Sequence, residues 1–143
     1  MEYQITEDIA QMDIDLIHQV ISSSYWANSI PRETLERSMQ NSLCFALLNS
    51  AENTVGFARV ITDKATFAYL ADVFVLQQYR NNGLSKQLMA YIGAHPQLQG
   101  LRRQMLATRD AHGLYAQFGF EPVPNPEILM QKWQPNIYQD SEK

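Results

Sequence analysis

The 143 residues contain one cysteine, Cys44, so no disulfide can form within the chain, as suits a reducing compartment. No stretch approaches the roughly 18 consecutive apolar residues that a membrane span needs, and no membrane partner is expected. Basic residues are not in excess: 11 Lys and Arg stand against 15 Asp and Glu, a formal net charge of −4. A helix-presenting nucleic-acid protein would carry a basic surface, and no polybasic tail or run of like charge supplies one, so no nucleic-acid partner is expected. The N-terminal MEYQITEDIAQMDID is acidic and lacks a continuous apolar core, which argues against a secretory or transit segment. Repeats, low-complexity tracts and linkers are also missing. These absences predict a cytoplasmic protein of one domain spanning residues 1–143, and a composition of 45% hydrophobic and 18% charged residues suffices for one substantial core. No metal site is expected.

The apolar spacing outlines the elements. A short strand is predicted at Tyr3–Ile5, then a helix from about Ile9 to Ile21 with Leu16, Ile17, Val20 and Ile21 inward, ended by Ser22-Ser23-Ser24. A second helix is predicted from Pro31 to about Gln40, since proline suits a first helical turn and Leu35 and Met39 stand four apart. Leu43–Leu48 and Val55–Ile61 form an expected hairpin across a polar, turn-favouring stretch from Asn49 to Thr54. Phe67–Leu76 is nearly apolar on both faces, as a strand covered by helices on each side must be. Later breaks at His95-Pro96 and Gly100 precede an expected strand at Gln104–Ala107, a short helix at Asp110–Phe118 and a last strand at Ile128–Trp133. The order implies an α+β protein: one mixed sheet with helices on both faces, antiparallel hairpins early and a helical crossover late.

The most informative run is Val73–Met89, VFVLQQYRNNGLSKQLM. A β-branched strand ends, the chain turns through Arg80-Asn81-Asn82-Gly83, and a helix starts at once with Leu84, Leu88 and Ile92 on one face. Such a junction leaves the first helical NH groups unpaired at the positive end of the helix dipole, with Arg80 and Lys86 beside it. A phosphate-bearing ligand is the natural occupant. The spacing Arg80-x-x-Gly83-x-Ser85 is neither G-x-G-x-x-G nor G-x-x-x-x-G-K-[ST], which sets aside dinucleotide and nucleoside-triphosphate loops.

That spacing resembles the [QR]-x-x-G-x-[GA] signature of the GNAT acyltransferases, with Ser85 in place of the final Gly or Ala. A second segment, Ala111-His112-Gly113-Leu114-Tyr115-Ala116-Gln117-Phe118-Gly119-Phe120, resembles the A-x-x-L-Y-x-x-x-G-F stretch near the end of GNAT domains, in the family's order and at a similar separation. The resemblance is specific from roughly Val55 to Phe120. It implies a GNAT-like fold and an N-acetyltransferase that moves the acetyl group of acetyl-CoA to a primary amine of a small molecule or protein. It further implies that the turn residues Arg80, Asn81, Asn82, Gly83, Leu84, Ser85 and Lys86 grip the CoA pyrophosphate. The backbone of Val73, Phe74 and Val75 would pair with the pantetheine arm as an added strand does, and Thr108 stands where many relatives place an asparagine that touches this arm, although it could equally cap a helix.

On the same resemblance Tyr115 donates a proton or hydrogen bond to the departing sulfur; its other reading is a packed residue on an apolar stripe with Ala111, Leu114 and Phe118. Reference pKa values of about 10 for tyrosine and about 8.5 for a thiol make full transfer uphill by roughly 2 kcal/mol, so hydrogen-bond donation is the expected role. Some relatives carry a basic glutamate on the central strand, and Phe67–Leu76 has none. Asp72, the strand's one carboxylate, is weighed more as a structural hydrogen-bonding group than as the base. His112 is the other candidate, with a reference pKa near 6.5 and a place one turn before Tyr115, and ordered water is a third route. Tyr25, Trp26, Phe67 and Tyr69 could wall an acceptor pocket or fill the core, with Asp63 to attract a cationic acceptor. The expected partners are acetyl-CoA and an amine, with a homodimer left open. The rival reading is a noncatalytic CoA-binding or regulatory module that keeps the turn but lacks a working base.

Overall fold

The computed structural model describes residues 2–140. A five-stranded sheet runs in chain order through β1 (Gln4–Thr6), β2 (Leu43–Leu48), β3 (Thr54–Thr62), β4 (Phe67–Val75) and β5 (Arg103–Met105). The first four pair antiparallel and β5 joins β4 in parallel. Side-chain oxygens build the two hairpin turns: Asn49 Oδ1 accepts from the amides of Ala51 and Asn53, both at 3.0 Å, and Asp63 Oδ1 accepts from Ala65 at 2.9 Å and Thr66 at 2.7 Å. The Thr66 hydroxyl and these amides hold the Asp63 carboxyl well below the usual carboxylate range.

Helices cover both faces, as expected for a sheet this apolar. α1 (Ile14–Ser22) and α2 (Arg32–Gln40) bury Ile17, Ile21, Leu35 and Met39 against Ala46, Leu48, Phe57 and Phe74 on one face. On the other, α3 (Leu84–Gly93) is the crossover that a parallel step requires. Its Leu84, Leu88 and Ile92 join Tyr115 of α4 (His112–Ala116) over Phe45, Leu47, Val60 and Leu70. A last turn, α5 (Ile137–Asp140), ends the described chain. Gly56 lets β2 and β4 close on β3, since a Cβ there would lie 2.8 Å from Leu47 Cδ1 and 3.1 Å from the Phe74 carbonyl.

The structure corrects two expected elements. The helix expected over Ile9–Ile21 is split: Asp8 caps a single 3-10 turn at Ile9–Gln11, the chain extends at Met12 and Asp13, and Asp13 then starts α1 by accepting from the Leu16 amide at 3.1 Å. Two capping aspartates each open their own helix. The strand expected at Ile128–Trp133 does not form; Pro126–Ile128 makes a 3-10 turn and the residues after it run exposed and unpaired with the sheet.

Candidate active site

The site grows from a fork in the sheet. β4 pairs with β5 only across Phe67–Tyr69 and Arg103–Met105, so beyond Tyr69 its backbone edge on that side has no ladder partner. Along the other edge, Phe57 pairs Phe74 and Arg59 pairs Ala71, which leaves Ala58 alone opposite Asp72 and Val73. This is a β-bulge. It places Asp72 at φ 57°, a left-handed backbone that costs a side-chain-bearing residue roughly 1–2 kcal/mol.

Asp72 is held there by two neighbours. Trp26 Nε1 donates to Oδ1 at 2.8 Å and Arg59 Nε to Oδ2 at 2.8 Å, while Arg59 also donates to Ser42 Oγ at 3.1 Å. Strict alternation from Ala68 and Leu70 would have aimed Asp72 at the α3 face; the bulge turns it to the α1–α2 face, where Trp26 lies. Both carboxylate oxygens are therefore occupied, which favours the structural role over the basic one.

Past Val75, a 3-10 turn at Gln77–Tyr79 leads to Asn81 at φ 68° and Gly83 at φ 72°, and α3 begins. Asn82 Nδ2 donates to the Tyr79 carbonyl at 3.1 Å, and Arg80 Nε is anchored on the Val75 carbonyl at 3.0 Å. The first helical bond runs from the Gln87 amide to Gly83 O at 3.0 Å, so the amides of Leu84, Ser85 and Lys86 lack a helical partner. The Leu84 side chain is buried in the core, which leaves its amide as its contribution. A Cβ on Gly83 would meet nothing within 4 Å. Val75, Arg80, Gly83, Ser85, Lys86 and Leu114 line a cavity of about 170 Å³. Open space, unpaired amides and two cations fit a diphosphate group.

Leu114 ties this cavity to α4, whose Tyr115 is buried and meets Phe120 edge-on at 6.0 Å. Burial, with Tyr25 and Asp110 nearby, raises the Tyr115 pKa, so the hydroxyl keeps its proton. Thr108 Oγ1 accepts from the Ala111 amide at 3.1 Å, closing a turn ahead of α4, whose N-cap is Ala111 and has no side-chain cap; the cap reading is not realised, and the hydroxyl hydrogen is left to donate. His112 is exposed in the first turn of α4.

Tyr25 and Trp26, both partly exposed, meet edge-to-face at 5.1 Å in the connection from α1 to α2. Arg109 lies over the Tyr25 ring at 3.8 Å, joining this connection to the loop before α4. Phe67 and Tyr69 alternate with Ala68 and Leu70 and so share Trp26's face of the sheet, but among the described residues no ring contact joins them to Tyr25 or Trp26. Asp63 is spent on its hairpin turn. Sequence reasoning missed Arg59 and Arg109. Arg59, the lone charge in the otherwise apolar or small TVGFARVIT strand, was the available signal, because a cation there requires a partner.

Comparison with known proteins bears on the fold and the family. Residues 40–122 match the acetyltransferase (GNAT) domain family. A candidate acetyltransferase of Gibberella zeae, FG08082, is 31% identical over 136 aligned positions that cover 80% of this chain and 76% of that protein. A GNAT-family candidate acetyltransferase of Xanthomonas campestris pv. campestris, solved as a crystal structure, is 48% identical with a TM-score of 0.93, covering 96% of this chain and 97% of its own. An N-acetylglutamate synthase of Neisseria gonorrhoeae, complexed with coenzyme A and N-acetylglutamate, shares the fold over part of its length: 20% identity, TM-score 0.67, 99% of this chain and 32% of that one.

Proposed function

The chain belongs to the GNAT family of acetyltransferases, and from that membership we propose that it transfers the acetyl group of acetyl-CoA to a primary amine of a small molecule or protein. The observation that carries this reading is the turn cavity itself, where the unpaired amides and the Arg80 and Lys86 side chains meet Val75 at the end of the open β4 edge and Leu114 of the helix that bears Tyr115.

Acetyl-CoA supplies the activated thioester. The amides of Leu84, Ser85 and Lys86, with the Arg80 and Lys86 side chains, hold its pyrophosphate, and Ser85 adds a small hydroxyl where a larger side chain would crowd it. The backbone of Val73, Phe74 and Val75 pairs with the pantetheine amides along the open edge; the Phe74 ring stays in the α1–α2 core. Thr108 turns its spare hydrogen toward the same arm.

Tyr115 meets the sulfur as negative charge develops there. Its pKa is raised from an ordinary value that already exceeds that of a thiol, so it acts by hydrogen bonding and retains its proton. Asp72 acts through others, fixing Trp26 in the acceptor connection and satisfying Arg59. Tyr25 and Trp26 border the acceptor. His112 and ordered water remain as routes for the amine proton. Loss of a near-neutral inflection in the pH–rate profile of His112→Ala would assign the proton to that imidazole, and an unchanged profile would assign it to water.

Titration calorimetry with acetyl-CoA, followed by CoA release in the presence of an amine panel, tests the proposal. Binding with amine-dependent release is expected. Binding without release from any amine would favour the noncatalytic module, for which the engagement of both Asp72 oxygens speaks, and no binding by the folded protein would overturn both readings.

A further inference from the structure

On the acceptor side of the cleft, Arg109 is a cation that nothing in the described chain neutralises. Arg59 is engaged by Asp72 and Ser42, and Arg32 by Asp15 and Glu36. Arg109 is exposed, its guanidinium carbon lies 3.8 Å from the centre of the Tyr25 ring, and among the described residues it enters no ion pair or hydrogen bond. Asp110 follows it in the chain without pairing to it.

Stacking decides which part of the group is free. A ring face meets the flat face of a guanidinium, whose N–H donors radiate in its plane, so contact with Tyr25 consumes none of them. Their fork matches the oxygens of a carboxylate or a phosphate. The position of the group is fixed from both sides. The Thr108 Oγ1 bond to the Ala111 amide ties the ends of the turn whose middle residues are Arg109 and Asp110, while Tyr25 is braced edge-on by Trp26 at 5.1 Å, itself bonded to Asp72 at 2.8 Å. The cation therefore sits on the aromatic wall that borders the acceptor, and Tyr25 and Asp110 lie close enough to Tyr115 to raise its pKa.

The carboxylates point the same way. An acceptor selected by its ammonium alone needs an acidic partner or an open aromatic face. Asp72 has both oxygens engaged, Asp63 accepts from the Ala65, Thr66 and Phe67 amides and the Thr66 hydroxyl, and Arg109 covers a face of Tyr25. The turn instead offers a cation with a carboxylate next to it, which suits a molecule that carries an oxyanion and an amine.

We propose that the acceptor is an amine that also bears an oxyanion, a carboxylate or a phosphate, held by the in-plane donors of Arg109 against Tyr25, so that Arg109 sets acceptor specificity. This rests on the transferase reading above and adds to it the chemical class of the amine.

The test compares CoA release within pairs that differ only in the anion: alanine, methionine and phenylalanine against their carboxamides, and O-phosphoethanolamine against ethanolamine. Each kcat/KM is referred to the unprotonated amine, because amidation lowers an amine's pKa. In at least one pair the anionic member should exceed its neutral twin by about tenfold or more, as for a hydrogen-bonded charge pair, chiefly through KM; the carboxylate and phosphate pairs show which oxyanion the fork takes. Arg109→Gln should erase the difference, Arg109→Lys, with the charge but not the fork, should restore part of it, and Arg109→Glu should reverse it. A merely structural role would lower both members of a pair alike. Equal rates within every pair, or a preference that survives Arg109→Gln, would overturn the proposal and leave the transferase reading standing. Acetyl-CoA binding with release from neither these amines nor the wider panel would overturn both.

Discussion

The two halves of β4 differ in what holds them. Ala68 and Tyr69 are paired on both edges, to β3 and β5, whereas Asp72–Val75 is bulged against β3 and open on its other side. In the closed half the backbone bonds are satisfied within the sheet. In the open half they are free for a visitor, and the local geometry needs help from afar: Asp72 keeps its left-handed backbone through Trp26 and Arg59, 46 and 13 residues away in sequence. Changes near the fork should therefore register in activity, and changes on the closed side in stability.

Asp72→Ala would break that division most severely. It leaves the Arg59 guanidinium, 15% exposed, without its carboxylate, a loss of about 3–5 kcal/mol for a largely buried pair, so both melting temperature and turnover should fall. An unchanged melting temperature would remove the network from the account. Tyr115→Phe sharpens the comparison: kcat should drop about 10²-fold with acetyl-CoA affinity and melting temperature nearly unchanged, and undiminished kcat would exclude the hydroxyl from the reaction. Gly83→Val comes next. Left-handed backbone costs a residue with a Cβ about 1–2 kcal/mol, and a Cβ at this position would meet nothing within 4 Å beyond its chain neighbours, so the rest of the effect is expected to fall on the ligand. Calorimetry should show acetyl-CoA binding weakened by about tenfold or more; native affinity in a folded variant would move the phosphate site elsewhere.

The smallest effect is expected on the closed side. Burial pushes the Glu7 carboxyl up, but hydrogen bonds from Tyr91 at 2.7 Å and His95 at 2.8 Å outweigh it and leave the pKa below its ordinary value. A carboxyl lowered by folding adds stability that is complete above its unfolded value and disappears as pH falls through the folded one. Glu7→Gln should thus flatten the loss of melting temperature on acidification below about pH 5 and leave neutral-pH turnover intact. An equally steep acid loss in the variant would assign it to other carboxylates.

Legibility followed the same line between local and distant causes. The turn from Arg80 to Lys86 was readable because its ingredients are neighbours in sequence: a strand end, a glycine able to take positive φ, and a helix start. The hairpin at Asn49 was readable for the same reason, whereas Asp63, read as a charge for a cationic acceptor, is spent on the turn that follows β3. Asp72 was not, because its orientation depends on a bulge set by pairing with β3, and side-chain alternation alone points the wrong way. Asp13 was read as part of a longer helix because apolar spacing continues through it, while its carboxylate ends one turn and opens the next. The segment Ile128–Trp133 has the composition of a strand, but a strand also needs an edge to pair with, and no composition records which edge that is. Arg109 escaped notice because its contact, the Tyr25 ring, lies more than eighty residues away.

Cys44 has a practical consequence. Its thiol is buried on β2, donates to the Met39 carbonyl at 3.4 Å and is pushed up to about 12 by burial. The protein's one sulfhydryl is therefore silent toward thiol-trapping dyes at neutral pH. Any free thiol that such a dye detects in a reaction mixture comes from the cosubstrate, so every turnover can be counted continuously against a blank baseline.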